Sequence, residues 1–461
     1  MPFNSENHEM KRKIYSRLLE WKRRDAAKYA LMIDGARRVG KSYVAEEFAR
    51  SEYDAYLLID FSKVKDEVKR LFNDYLDDLD TFFMLLQNNM GIVLPRGKSL
   101  VIFDEVQLFP KAREAIKHLV KDGRYHYLET GSLVSINRNV KDILLPSEEL
   151  RVKMHPMDFE EFLWACGHEL MMPMIADFFS RRKPLGNAMH RQVMDMFRQY
   201  MVVGGMPQAV AEFLESRDLA LVDRTKRAIL DLYRGDIRKY AGRLAERVER
   251  IWDELPSQLS RHEKRFRPSS IATGTRMRDC HDAFQWLKGA MTVNLCYNST
   301  EPNVGLKLNL DNSCLKCYMG DTGLLISHAF DENELAAEQI HRRILFDRLE
   351  LNEGMLVENV VGQMLVANGR SLYFHTNKSP EDAHSRMEID FLIAKTKIGR
   401  RKNIFPLEVK SGRNYTLKSL EKFRTKYVTY IDTPYVLHAG DLKLHDGVAC
   451  LPLYMVPCLC S

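Results

Sequence analysis

Gly35-Ala36-Arg37-Arg38-Val39-Gly40-Lys41-Ser42 decides how this chain is read. The two glycines, followed directly by lysine and serine, satisfy the phosphate-loop pattern G-x-x-x-x-G-K-[ST]. The apolar run Ala30-Leu31-Met32-Ile33 precedes it and predicts a buried strand. A helical pattern from Tyr43 through Phe48 follows. Strand, glycine loop and helix are the context in which the motif has a mechanism. Glycine lets backbone N–H groups approach phosphate oxygens, and a helix start favours negative charge. Lys41 is expected at the β- and γ-phosphates, and the Ser42 hydroxyl on Mg²⁺. Gly35, Arg37, Arg38, Val39, Gly40 and Tyr43 complete the stretch expected to contact ATP.

Outward from the loop the pattern repeats. Met10 to Arg24 predicts an amphipathic helix upstream. Ala55 to Asp60 predicts a second strand, and Ser99 to Asp104 a third that is apolar throughout, as a central parallel strand should be. The third run ends in Asp104-Glu105. Asp104 is placed to hold Mg²⁺, and Glu105 to polarise an attacking water. Tyr125 to Ser132 predicts a fourth strand ending in small polar residues. Thr130 and Ser132 are both suited to sense a γ-phosphate, and the residues leave that choice open. Strands alternating with helices predict a parallel α/β sheet with its site at the strand C-terminal ends.

The 461 residues suit several domains, and 45% hydrophobic with 29% charged residues suits a globular chain. The start is polar without a signal-type apolar core, and no run has membrane-spanning length, so a cytoplasmic protein without membrane contact is expected. Eight scattered cysteines read as reduced thiols, and Cys314-Leu-Lys-Cys317 lacks the second pair that a structural zinc site normally needs. The net charge is +6, yet Arg224 to Arg278 alone holds 15 Lys/Arg against 7 Asp/Glu. Such a basic window is either a nucleic-acid footprint or a solvated helix surface laced with ion pairs such as Glu246–Arg250.

Several segments together resemble a large prokaryotic family of AAA-type ATPases whose C-terminal domain has no assigned function. They are the loop itself, Phe103-Asp-Glu-Val-Gln107, Thr130-Gly-Ser132 and Met154-His-Pro-Met-Asp-Phe-Glu-Glu-Phe-Leu163. The resemblance continues through Tyr200-Met-Val-Val-Gly-Gly-Met-Pro207, Gly235-Asp-Ile237, Lys316-Cys-Tyr-Met-Gly-Asp-Thr-Gly-Leu-Leu325, Glu388-Ile-Asp-Phe-Leu392 and Leu407-Glu-Val-Lys-Ser-Gly412. It implies an AAA-type ATPase core over 1–165. It also implies that Arg151, in Leu-Arg where relatives carry Gly-Arg, stabilises γ-phosphate charge in cis or from a neighbouring subunit. That makes a homo-oligomer a candidate assembly.

Downstream, Met157 to Pro207 predicts helix ending at Gly204-Gly205-Met206-Pro207, and a helical lid is expected over 166–240. Residues 241–315 resemble a winged helix, with Lys264, Arg276, Arg278 and Lys288 available for phosphates. Residues 316–461 predict helix, strands, helix and strand with Asp390 and Glu408-x-Lys410, which resembles a PD-(D/E)xK, restriction-endonuclease-like core. Glu358, Asp390 and Glu408 are the expected Mg²⁺ ligands there. Period-two geometry puts Lys410 beside Glu408, where it could activate a metal-bound water. The expectation is therefore ATP hydrolysis coupled to a nuclease-like, DNA-directed C-terminal half. The alternative is a nucleotide-switched regulator whose C-terminal half binds a partner and cuts nothing.

Overall fold

A computed structural model describes residues 10–131, 147–303, 305–330, 341–345, 353–377, 386–395, 402–412 and 415–460. The chain divides into two compact units, Lys11–His155 and the residues from Pro156 onward.

The first unit holds the parallel sheet that the sequence predicts. Its strands are β1 (Ala30–Gly35), β2 (Ala55–Asp60), β3 (Ser99–Asp104), β4 (His126–Gly131) and β5 (Glu149–Met154). They lie in the order β2-β3-β4-β1-β5, and every pairing is parallel. All six residues of β1 and of β3 are buried, which is why both read as unbroken apolar runs. The helices are α1 (Ile14–Arg24), α2 (Lys41–Glu52), α3 (Asp66–Asp74), α4 (Leu79–Met90) and α5 (Pro110–Asp122). One core packs Phe61, Phe72, Phe82, Phe83 and Phe103 between the sheet and these helices. In-register pairing aligns Asp60 with Asp104 and Asp34 with Gly131, so the polar strand ends share one edge. β5 is the strand that the sequence reading lacks. It is an edge strand with exposed Leu150 and Arg151, and its charged residues hide the apolar pattern.

The second unit opens with α6 (Phe159–Ala165), α7 (Met171–Ser180), α8 (Asn187–Val203), α9 (Pro207–Ser216), α10 (Leu219–Tyr240) and α11 (Ala245–Ser260). Asp158 and Glu161 form a reciprocal capping box at the start of α6. Then come α12 (Met277–Gly289), β6 (Val293–Ser299), β7 (Leu310–Met319), α13 (Thr322–Ala329), α14 (Glu353–Ala367), β8 (Leu372–Asn377), β9 (Met387–Ile389), β10 (Phe391–Ala394), β11 (Ile404–Val409), α15 (Lys418–Lys426), β12 (Tyr435–His438), β13 (Lys443–His445) and β14 (Val448–Pro452). One sheet runs β7-β6-β8-β9 and the other β10-β11-β12-β14-β13. The strand expected over 387–394 is broken at Asp390, and its two halves serve different sheets.

The β6–β7 pair does not close on itself as a separate wing. β6 also pairs in parallel with β8, so the strands of the winged-helix-like stretch belong to a sheet completed by C-terminal strands. The line drawn between 315 and 316 consequently crosses β7. The line drawn at 165/166 lies ten residues past the break between the two units, which falls at 155/156.

The segments Gly204-Gly205 and Gly320-Asp-Thr-Gly323 interlock. A Cβ on Gly205 would lie 2.1 Å from the Met157 carbonyl oxygen, and one on Gly323 would lie 2.6 Å from the Gly204 Cα. Asp321 accepts from the Gly205 N–H (2.6 Å) and from Gln363 (3.2 Å), and Gln363 also donates to Tyr200 (3.0 Å). Gly205→Ala should therefore cost on the order of 3 kcal/mol. Urea unfolding followed by tryptophan fluorescence would measure the loss, and an unchanged midpoint would refute this account of the junction.

Candidate nucleotide site and C-terminal carboxylate cluster

The loop between β1 and α2 turns through two left-handed residues, Arg38 (φ 70°) and Gly40 (φ 92°). Gly35 is required by packing, because a Cβ there would lie 2.5 Å from the Met154 carbonyl oxygen of β5. Arg12 holds the loop from behind. It donates to the Val39 carbonyl (2.8 Å) and the His155 carbonyl (2.6 Å). No motif flags Arg12; its place in a charged N-terminal helix pattern conceals it. Val39 is fully buried, whereas Arg37, Arg38 and Tyr43 are exposed.

Lys41 is buried and donates to the carbonyls of Gly35 (3.1 Å) and Ala36 (3.0 Å). Burial lowers its pKa, against the opposing pull of Glu105, Asp104 and Asp34. Ser42 Oγ donates to Asp104 Oδ1 at 2.7 Å, and Thr130 Oγ1 donates to the same oxygen. Glu105 follows in a left-handed conformation (φ 55°) and accepts from Gln107 Nε2. The structure thus brings Lys41, Ser42, Asp104, Glu105 and Thr130 together. Ser132 lies outside the described residues. A hydroxyl and a carboxylate sharing one contact are hard oxygen donors, which suits Mg²⁺.

Arg151 is not part of this group. It aligns with Met32 and Glu129 across the sheet, one residue out of step with Thr130 and Asp104, so it faces the other side. Its Nε donates to Glu149 (2.7 Å), and Arg113 of α5 clasps Glu149 through Nε (3.1 Å) and Nη2 (2.8 Å). Beneath the loop this leaves a buried acidic set. Burial, then Glu149, pushes the Glu129 carboxyl well above its usual range. Asp34 is 2% exposed with one oxygen unpartnered, and burial raises its pKa to about 6 despite Arg151.

In the second unit Asp390 sits in the turn between β9 and β10, and Glu408 on β11, which pairs antiparallel with β10; Asp390 reaches β11 by accepting from the Val409 N–H at 2.9 Å. Lys410 meets Glu408 at 2.6 Å, and burial lifts Glu408 to about 7 against that lysine. Two of the three expected metal ligands, Glu358 and Asp390, are engaged by a lysine instead. Lys316 of β7, 1% exposed, sends its ammonium to Glu358 (3.0 Å), Glu388 (3.1 Å) and Asp390 (3.5 Å). Lys264, expected at a nucleic-acid phosphate, pairs with the other Glu358 oxygen at 2.8 Å. Burial alone would raise Glu358, but Lys316 and Lys264 bring it down to about 2. Among the described residues no group of three or more His, Cys, Asp or Glu is placed to hold a metal ion. Cys166, Cys280, Cys296 and Cys450 are unbridged, and so is the Cys314/Cys317 pair.

The basic window is largely paired. Arg227 meets Asp223 (2.7 Å), Arg238 meets Glu249 (2.6 Å), Arg250 meets Glu246 (2.7 Å), and Arg265 and Arg267 share Glu263. Lys226 is buried against the Val202 carbonyl. These contacts match the ion-paired helix surface better than an open phosphate track. No helix among the described residues is long and apolar enough to cross a membrane.

Residues 27–163 match a family model described as an AAA domain, which supports an AAA-type P-loop ATPase domain over that stretch. Residues 194–334 and 353–456 match two models described as domains of unknown function, DUF8612 and DUF4143. No curated protein matches the chain. The solved structure of C. elegans PCH-2 aligns at 10% identity and TM-score 0.20, over 45% of this chain and 60% of that one. The crystal structure of CDC6P from Pyrobaculum aerophilum aligns at 11% identity and TM-score 0.24, over 71% of this chain and 92% of that one. Scores this low carry no argument.

The raised Asp34 has a thermodynamic consequence. Its folded form keeps a proton up to about pH 6, whereas an unfolded aspartate loses it near 3.8. Stability therefore falls as pH rises through that window, by up to about 3 kcal/mol. Asp34→Asn should remove the slope, so its advantage over the natural chain grows between pH 4 and pH 6 and then levels. Denaturant midpoints across that range would show it, and an equal difference at pH 4 and pH 7 would argue against a buried, titrating Asp34.

Proposed function

We propose that this chain binds ATP with Mg²⁺ at the β1–α2 loop and hydrolyses it. The observation that carries the reading is the convergence of Ser42 and Thr130 on one oxygen of Asp104, with Lys41 buried in the loop and Glu105 next in sequence. In this reading the loop N–H groups and Lys41 hold the phosphates. Ser42 and Asp104 hold Mg²⁺, which would offset charge on the β- and γ-phosphates. Glu105 orients the attacking water and takes its proton, and Thr130 reports whether a γ-phosphate is present. Arg37, Arg38 and Tyr43, exposed around the loop, contact the nucleotide from outside. Within its own chain Arg151 pairs with Glu149 and faces away from Asp104, so a γ-phosphate role for it would be played in trans, from another copy of the chain.

The output half has two readings. One is a metal-dependent, DNA-cutting domain using Asp390, Glu408 and Lys410. The other is a regulator that changes state with the nucleotide and docks a partner without cleavage. The second is favoured by the ammonium of Lys316 among Glu358, Glu388 and Asp390.

Lys41→Ala should abolish ATP binding, read by equilibrium dialysis. Glu105→Gln should keep binding and lower phosphate release by about 10²- to 10⁴-fold, the usual worth of a general base. Release at the unmutated rate by Glu105→Gln would remove the role given to Glu105. Incubating the whole chain with Mg²⁺ or Mn²⁺ and plasmid or single-stranded DNA separates the two output readings. No product is expected, and cleavage lost in Asp390→Ala would restore the nuclease.

A further inference from the structure

Two of the three carboxylates that a PD-(D/E)xK metal site would use here, Glu358 and Asp390, already hold a cation of the chain's own, while the third, Glu408, pairs with Lys410. Lys316 presents three N–H donors, and three carboxylates surround it, one donor for each. The second oxygen of Glu358 is held by Lys264 at 2.8 Å, and the second oxygen of Asp390 accepts from the Val409 N–H at 2.9 Å. Tyr318 donates to Glu358 as well. No oxygen of Glu358 or Asp390 is left over.

The dimensions agree with that pairing. The carboxylate oxygens stand 3.0 to 3.5 Å from the Lys316 nitrogen, whereas Mg²⁺ draws its oxygens to about 2.0–2.1 Å. The ring of Phe374 lies 5.1 Å from the same nitrogen, a contact that suits an ammonium. Charge points the same way. Glu358, Glu388 and Asp390 face Lys316 and Lys264, so two of the three negative charges are already matched inside the protein.

We propose that Lys316 is a built-in cation that replaces the divalent metal of a PD-(D/E)xK-like centre. The cluster is thereby a metal-independent staple. It ties β7 to α14 and to the turn between β9 and β10, where the chain passes from one sheet to the other. Asp390 extends the tie to β11 through Val409. The inference concerns the second unit alone and stands whether or not the first hydrolyses ATP.

Its corollary is that removing the ammonium opens a metal site. Mn²⁺ alone is the probe, added to the full chain without nucleotide and followed by the electron paramagnetic resonance of free Mn²⁺. In the natural chain, Asp390→Asn should leave Mn²⁺ affinity unchanged. Lys316→Ala should bind Mn²⁺ at least tenfold more tightly than the natural chain, and Lys316→Ala with Asp390→Asn should lose that gain. The melting temperature of Lys316→Ala should rise with Mn²⁺, while that of the natural chain stays put. A tenfold loss of affinity on Asp390→Asn in the natural chain would overturn the proposal. So would a folded Lys316→Ala that gains no Mn²⁺. If Lys316→Ala fails to fold with or without Mn²⁺, the Asp390→Asn comparison decides alone.

Discussion

One oxygen of Asp104 organises the first unit. Ser42 comes to it from the start of α2, and Thr130 from the end of β4. A carboxylate that accepts from both can do so only if β1, β3 and β4 end at the same level. The parallel register supplies that, with β4 seated between β3 and β1. The loop conformation, the glycine at 35 and the buried Arg12 all serve to bring α2 to that level. Hydrogen bonds to a charged acceptor are worth more than neutral ones, and in a partly dry site their loss leaves the carboxylate exposed to its own desolvation. The same site that looks suited to chemistry is therefore also a structural joint.

Much of this joint was legible in the sequence. The loop, the apolar run ending in Asp104-Glu105, and the strand end Thr130-Gly-Ser132 each carry their own signal, because polar strand ends interrupt long apolar stretches, although the choice between Thr130 and Ser132 stayed open. β5 gave no such signal. An edge strand has one wet face, and Glu149, Arg151 and Lys153 fill the pattern with charge. That omission had a price in the reading of Arg151. The resemblance puts it at a phosphate without saying on what element it stands. Seen on a strand in register with Met32 it points away from Asp104, and Glu149 holds it.

The second unit shows the opposite balance. Asp390, Glu408 and Lys410 were singled out by spacing; Glu408 and Lys410 meet at 2.6 Å, while Asp390 sits in the turn before β10 and reaches the Val409 N–H. What spacing could not supply was Lys316, 74 residues before Asp390 and carried in by β7. Lys316 stands at the head of a segment, Lys316 to Leu325, noticed for its resemblance and without a chemical role of its own. The rest of that segment is now explained by contact. Asp321 holds the Gly205 N–H, and Gly323 fits where a methyl group would strike Gly204. Glycines and a buried aspartate of this kind mark a close backbone crossing, not a ligand.

Two lysines, Lys41 and Lys316, make the physical distinction plain. Both are buried beside carboxylates, so type, burial and neighbourhood alone do not separate a working site from a closed one. Their partners do. Lys41 spends its donors on two neutral carbonyls of its own loop, bonds that an incoming anion can outbid, since a charged acceptor binds an ammonium more strongly. Lys316 spends its donors on three carboxylates, which no phosphate can outbid without leaving those carboxylates buried and unpaired. The pKa shifts run in opposite directions for this reason. Burial lowers Lys41, whereas at Lys316 burial is outweighed by Glu358, Glu388 and Asp390 and the pKa rises well above the ordinary value. A cation short of anionic partners is poised to accept one, and a cation with all of its partners already in the chain is part of the scaffold.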